Sequence, residues 1–163
     1  IHEGEFKVGL FTSQKNNRAL AVQNFDTLRQ LSGVSNRNWE RDWRLLESLQ
    51  LSSIHHTLHW VSMAKMVEAQ RADFVLAPFS YEQDMSLQVG DIKLIPIKGL
   101  KVTLPGSRHW IVSRRHESGT DAFNALQLGL QILREKGSVN KAYMDSGFFN
   151  PKTLHWKTFQ AQM

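Results

Sequence analysis

Ser62-Met-Ala-Lys-Met-Val-Glu-Ala-Gln-Arg-Ala-Asp-Phe-Val-Leu-Ala-Pro-Phe79 reads as a helix that runs through a short corner into a buried strand. Met63, Met66 and Val67 recur at i, i+3 and i+4, which gives the first half one apolar face. Ser62 stands where an N-cap is expected, its hydroxyl accepting from a first-turn amide. Phe74 to Leu76 form an unbroken apolar run, the pattern of a strand covered on both faces.

The flanking sequence repeats this alternation. Upstream, Phe6 to Thr12 reads as an opening strand and Gln14 to Asn17 as a loop. Phe25 to Leu31 reads as a short helix and Gly33-Val-Ser35 as a strand. Trp39 to Leu49 then reads as a helix with Trp43, Leu46 and Leu49 near one face, and Ser53 to Thr57 as the next strand. Strand, helix, strand, helix, strand predicts an α/β fold with a mostly parallel central sheet and helices on both faces. Downstream, Gln83 to Asp91 is polar and predicts a loop ending in the turn Val89-Gly-Asp91, before a strand over Ile92 to Ile97. Pro105-Gly106 predicts a second turn, and Trp110-Ile-Val-Ser113 another strand. Asp121 to Lys136 is the clearest helix, with Phe123, Leu126, Leu130 and Leu133 on one face and Gly137 as its stop. A short helix over Asn140 to Asp145 follows, then an aperiodic tail from Lys152 whose Trp156 and Phe159 are expected to dock on a partner surface.

Composition narrows the function classes. The 163 residues are 41% hydrophobic and 21% charged, values of an ordinary globular chain with room for one core or one lobe plus an appendage. No apolar run nears the ~20 residues that cross a bilayer. The opening Ile1-His-Glu-Gly-Glu5 has neither a starting Met nor the pattern of a signal peptide, so a processed product or part of a longer protein is expected. With no cysteine, disulfides, zinc–thiolate sites and Cys nucleophiles are excluded. The net charge of +5 would suit an anionic ligand, a membrane surface or nucleic acid, but apart from pairs such as Arg114-Arg115 the basic residues are scattered and form no nucleic-acid module. His55, His56 and His59 invite a metal reading. Adjacent strand residues face opposite ways, however, and no carboxylate completes a set, so no metal or other cofactor is expected. The sequence holds no Gly-x-Ser-x-Gly elbow, no His-Glu-x-x-His and no glycine-rich phosphate loop, and enzyme is the minority reading.

The junction Arg71-Ala-Asp73 between helix and strand resembles one in the second lobe of type 2 periplasmic solute-binding proteins, nearest in style to the polar amino-acid group called family 3. Phe6 to Thr12 is similar to that family's strand crossing from lobe one, and Leu28-Arg-Gln-Leu-Ser-Gly-Val34 to the lead-in to lobe two. Trp110 to Ser113, with Arg114 and Arg115, resembles the strand crossing back, and Phe123 to Gly137 with Tyr143 the closing segment. The resemblance spans about residues 6 to 149. It implies a Rossmann-like second lobe over residues 1–113, return helices and tail over 114–163, and no first lobe. It further implies binding of a small polar solute in an interlobe cleft, a membrane transporter or receptor as partner, and a periplasmic or extracellular site of action. An incomplete cleft would also expose apolar surface for self-association. A sensory domain of a membrane kinase or cyclase and an effector domain of a transcription regulator share the architecture and are the alternatives.

Ligands of open α/β sheets sit beyond the carboxyl ends of the strands, and three segments meet that description. In Asn36-Arg-Asn-Trp39, backbone amides would favour an anion that Arg37 clamps; the alternative is that Asn36 or Asn38 caps the helix and Arg37 is solvated. Before the next helix, Trp60 either stacks on a ligand or sits in the core, with Ser62 beside it. The third is Pro78-Phe-Ser80 after the central strand. The resemblance places at Pro78 a carboxylate that holds a ligand's amino group; proline offers none, so the expected solute is polar, an anion among the options.

Overall fold

The computed structural model describes residues 1–161. The seven strands are β1 (Lys7–Ser13), β2 (Ser32–Ser35), β3 (Ser53–His56), β4 (Phe74–Ala77), β5 (Leu87–Val89), β6 (Ile92–Thr103) and β7 (Lys157–Gln160). The helices are α1 (Asn17–Leu20), α2 (Phe25–Leu28), α3 (Glu40–Ser48), α4 (Trp60–Glu68), α5 (Gly119–Glu135) and α6 (Ser138–Asp145).

One mixed sheet has the order β3-β2-β4-β1-β6-β5, with β7 also on β6. The trio β3, β2 and β4 is parallel, joined by α3 and α4. β1 runs antiparallel to both β4 and β6, so two long strands cross the middle of the sheet. β6 is long enough to hold β5 against Ile92 to Leu94 and β7 against Leu100 to Thr103.

Strand alternation sorts the apolar side chains into two cores. Phe74 and Leu76 of β4, with Val8 and Leu10 of β1, pack under Leu28, Leu45 and Leu46 from α2 and α3. Val75 and Ala77, with Phe11, pack under Met63, Ala64 and Val67 from α4. The Phe74 to Leu76 run is therefore buried on both faces, as its unbroken apolarity predicts. Helices cover both faces of the sheet, the α/β arrangement read from the sequence. At the corner before β4, Asp73 accepts from the Ser32 amide (2.7 Å), the Ser32 hydroxyl (2.9 Å) and the Asn16 side chain (3.0 Å).

Five local expectations are corrected. Ser62 is not an N-cap: α4 begins at Trp60, and Met63 already bonds back to the His59 carbonyl. The loop-to-loop bond from Asn36 to the Leu58 carbonyl (3.1 Å) fixes the chain's turn before Ser62 is reached. Trp110 to Ser113 forms no strand, with Trp110 62% and Ile111 99% exposed. The ladder ends at Leu104, whose amide reaches Phe6; β1 already has a neighbour on each side, and Pro105 has no amide to continue. Residues 17–20 form α1, capped by the Asn16 side chain on the Ala19 amide (3.0 Å). Leu87 to Val89 pairs as β5 through the two-residue turn at Gly90 (φ 60°), so only the first part of the expected loop is one. The tail returns as β7, and Trp156 and Phe159 dock on this chain's own Phe79 and Phe25, at ring separations of 5.5 Å each. An edge strand of four residues has too few positions to show a period.

α5 and α6 form a hairpin that leans on the body through few contacts. Arg134 of α5 pairs with Glu5 (3.2 Å) and holds that carboxyl below its usual range. After α6 the chain is anchored tightly. Gly147 (φ 76°) lies where a Cβ would come within 2.3 Å of the Ser80 backbone, so only glycine fits. Phe148 stacks on Phe6 at 4.9 Å, and the buried Lys101 donates to the Thr153 carbonyl at 2.6 Å. Burial, then the nearby Lys7, pulls the Lys101 ammonium below its usual range.

Candidate functional site

The loops after β2, β3 and β4 lie along one edge because these three strands are parallel neighbours. α3 and α4 both begin at this edge. Their first amides to bond back are those of Trp43 and Met63, so the N–H groups of residues 40–42 and 60–62 have no helical partner. The two helix starts differ in charge. The first turn of α3 contains Glu40 and Asp42, whereas that of α4 contains no acid. An anion is therefore favoured at α4 and opposed at α3. Glu40 is paired with Arg44 at 2.5 Å, and burial raises the Asp42 carboxyl against the pull of Arg108.

The structure joins the first two predicted segments and separates their residues by role. Asn36 is buried; its amide nitrogen donates to the Leu58 carbonyl (3.1 Å), and its oxygen accepts from the Asn38 amide (2.9 Å). It is thus a staple between two loops, and neither Asn36 nor Asn38 caps α3, which has no side-chain cap. Arg37 is exposed, with its guanidinium over the Trp43 ring at 5.1 Å and its amide donating to Nδ1 of His56 (3.2 Å). The Trp43 and His56 rings meet edge to face at 6.2 Å, which completes a platform under the guanidinium. Trp39 is 41% exposed beside it. Trp60 is half-buried against the second core and Ser62 half-buried in the first turn of α4.

The third segment points elsewhere. Phe79 is a core residue against Phe11 and Trp156. Ser80 donates to the Ser86 carbonyl (2.8 Å), and its own carbonyl accepts from Asn150 (3.0 Å). Pro78 alone of the three is exposed. The sequence reading has Trp43 only as a helix-face residue and His56 only as a metal candidate; their place beside Arg37 depends on contact between β3, α3 and the loop after β2, which no local spacing records. A concavity of about 1080 Å³ lies away from this edge, between residues 108–110 and α5, lined by Arg108, Trp110, Phe123, Gln127, Leu130 and Gln131 among others.

Among the described residues, no group of three or more His, Cys, Asp or Glu is arranged to hold a metal ion. None of the described helices is long and apolar enough to cross a membrane. The class of protein these features define is a mixed α/β fold with a polar strand-end edge. No family model matches the chain, and no curated protein matches it. Among solved structures it is similar to the L-cystine solute receptor of Neisseria gonorrhoeae in the unliganded open conformation, with 9% identity and a TM-score of 0.39. The match covers 90% of this chain and 60% of that one, so the chain spans less than two thirds of the receptor.

Proposed function

We propose that this chain is the second lobe of an extracytoplasmic solute-binding protein, in the manner of the type 2 polar amino-acid binders, and that it binds rather than catalyses. The observation that carries this reading is the strand-end edge itself. Three parallel strands deliver their loops to one edge, where the acid-free start of α4 and the exposed Arg37 each offer positive potential to an anion. The solute is a small organic anion, with Ser62 and the residue 60–62 amides as its hydrogen-bond donors. Trp39 and Trp60 supply apolar walls. Asn36 and Asn38 shape the edge from behind, through the bonds of Asn36 to the Leu58 carbonyl and the Asn38 amide. In the full protein a second wall would close on this one, and closure would signal to a membrane transporter or receptor outside the cytoplasm.

Thermal-shift titration of the chain with carboxylates, amino acids and polyamines tests the reading. A half-site of about 1 mM affinity, given 10 mM carboxylate, stabilises the chain by about 1.4 kcal/mol. Arg37→Ala removes most of that gain. A polyamine that stabilises the chain where no carboxylate does would overturn the anion assignment. A carboxylate shift that survives Arg37→Ala together with Ser62→Ala would move the site off this edge.

A further inference from the structure

The Arg37 amide has an uncommon acceptor. Its N–H donates to Nδ1 of His56 at 3.2 Å, from the loop after β2 to the last residue of β3. A backbone amide can only donate, so Nδ1 carries no proton and the ring's own N–H is at Nε2. The bond exists only while the imidazole is neutral. An imidazolium donates from both nitrogens and has no acceptor to offer in any rotamer.

Protonation therefore leaves two N–H groups facing each other, and the fold keeps them there. Arg37 is the second residue of a turn closed by the Trp39 amide on the Asn36 carbonyl at 2.9 Å. The buried Asn36 side chain grips that turn, donating to the Leu58 carbonyl and accepting from the Asn38 amide. The Thr57 amide on the Ser35 carbonyl (3.2 Å) ties the end of β3 to the same place. None of these bonds involves a group that titrates. When the Nδ1 bond is lost, the Arg37 amide stays in position without an acceptor.

The charge that meets His56 is positive. The Arg37 guanidinium and the His56 ring both lie against the Trp43 indole, at 5.1 and 6.2 Å from its centre. The charged groups of α3 are engaged elsewhere. Glu40 pairs with Arg44, Glu47 accepts from the Trp43 indole N–H, Arg41 donates to the Pro105 and Ser107 carbonyls, and Asp42 lies near Arg108. β2 brings only Ser35, the register partner of His56. On β3, His55 alternates to the other face, and His59 follows in the loop before α4. Among the described residues no carboxylate bonds to His56.

We infer that His56 is a proton-dependent anion ligand: once protonated, its Nδ1–H and the Arg37 amide share one anionic oxygen, beside the Arg37 guanidinium. The inference rests on the reading of this edge as an anion site and adds that binding takes up a proton. An anionic oxygen is the acceptor that both N–H groups lack. It also offsets the imidazolium and guanidinium charges, which a bridging water would not. Histidine changes charge between about pH 5 and 8, so affinity turns on pH within that range.

NMR titration of the full chain with lactate, a carboxylate ionised throughout, at about pH 5.5 and about pH 8 tests it. The Arg37 amide and the His56 ring nitrogens are followed individually, because the sequence holds seven histidines. Both should shift saturably at the lower pH, with affinity at least about tenfold weaker at the higher. By reciprocity, saturating lactate should raise the midpoint of the His56 titration by about one pH unit or more. His56→Asn sets a carboxamide oxygen in the place of Nδ1 and does not titrate, so its affinity should be the same at both pH values. Wild-type affinity that is equal at both pH values yet lost in Arg37→Ala would overturn the inference and leave the anion reading standing. No saturable shift at Arg37 at either pH would overturn both.

Discussion

Replacing Asp73 by alanine should lower the unfolding free energy by about 3 kcal/mol. The carboxylate joins three pieces of chain: one oxygen accepts from both the amide and the hydroxyl of Ser32, and the other from Asn16. Asn16 in turn caps α1 through its own oxygen. Bonds to a charged acceptor contribute about 1.5–3 kcal/mol each. The two from Ser32 share one oxygen and the site is only half-buried, so the total stays well below three full bonds. Asp73→Asn keeps the shape but turns one acceptor into a donor, at a cost of about 2 kcal/mol. Urea unfolding followed by tryptophan fluorescence reads these losses, and with m near 2 kcal/mol/M the alanine variant's midpoint falls by about 1.5 M. The pH dependence adds a second reading. Burial alone would raise the Asp73 carboxyl; the bonds from Asn16 and Ser32 outweigh it and leave it below its usual range. A depressed carboxyl stabilises the fold above its unfolded value of about 3.9, and the gain is lost as pH falls through the folded value. Wild type should therefore lose stability below about pH 4 more steeply than Asp73→Asn. A loss under 1 kcal/mol for the alanine variant would refute this reasoning. The corner would then be held by its backbone, through the Asp73 amide on the Ser32 carbonyl (2.9 Å) and the Thr12 hydroxyl on the Asp73 carbonyl (2.7 Å).

Gly147→Ala should destabilise by about 3 kcal/mol, from the left-handed backbone and the collision with the Ser80 backbone, as measured by the same unfolding assay. Lys101 has a depressed ammonium, so between its folded value and the unfolded value of about 10.4 the unfolded chain holds more protons and stability rises with pH. Lys101→Met should abolish that alkaline rise, seen as a melting temperature that no longer climbs as pH approaches about 10.4; a rise that persists would place the titration elsewhere. Asn36→Ala removes the staple between the loops after β2 and β3 and should cost about 1–2 kcal/mol. It should also weaken any carboxylate-induced thermal shift, whereas Asn38→Ala, whose side chain holds no loop contact, should leave stability within about 0.5 kcal/mol.

Local chemistry made several elements legible from sequence alone. The unbroken run Phe74 to Leu76 predicted a strand buried on both faces, and the two cores confirm it. The helix periods around Leu46, Met63 and Leu126 predicted α3, α4 and α5 to within two or three residues at each end. Periodicity records which face of an element is apolar, and that is a property of the segment itself. Partner choice is not local. That β1 lies antiparallel between β4 and β6 denied Trp110 to Ser113 a place in the sheet and gave the aperiodic tail one on β6. The same long-range contacts decided the fate of the edge residues. Asn36 and Phe79 look alike in sequence as strand-end candidates, yet the structure makes one a loop staple and the other core. Arg37 is held over Trp43, whose ring meets that of His56 from β3, nineteen positions beyond Arg37. Nor does an apolar stripe on α5 say which way it faces. Sequence determined that the helix has such a stripe; only the tertiary structure set its Phe123 and Leu130 along the groove against residues 108–110 and left Leu126 and Leu133 exposed, because the segments that flank a helix are remote along the chain.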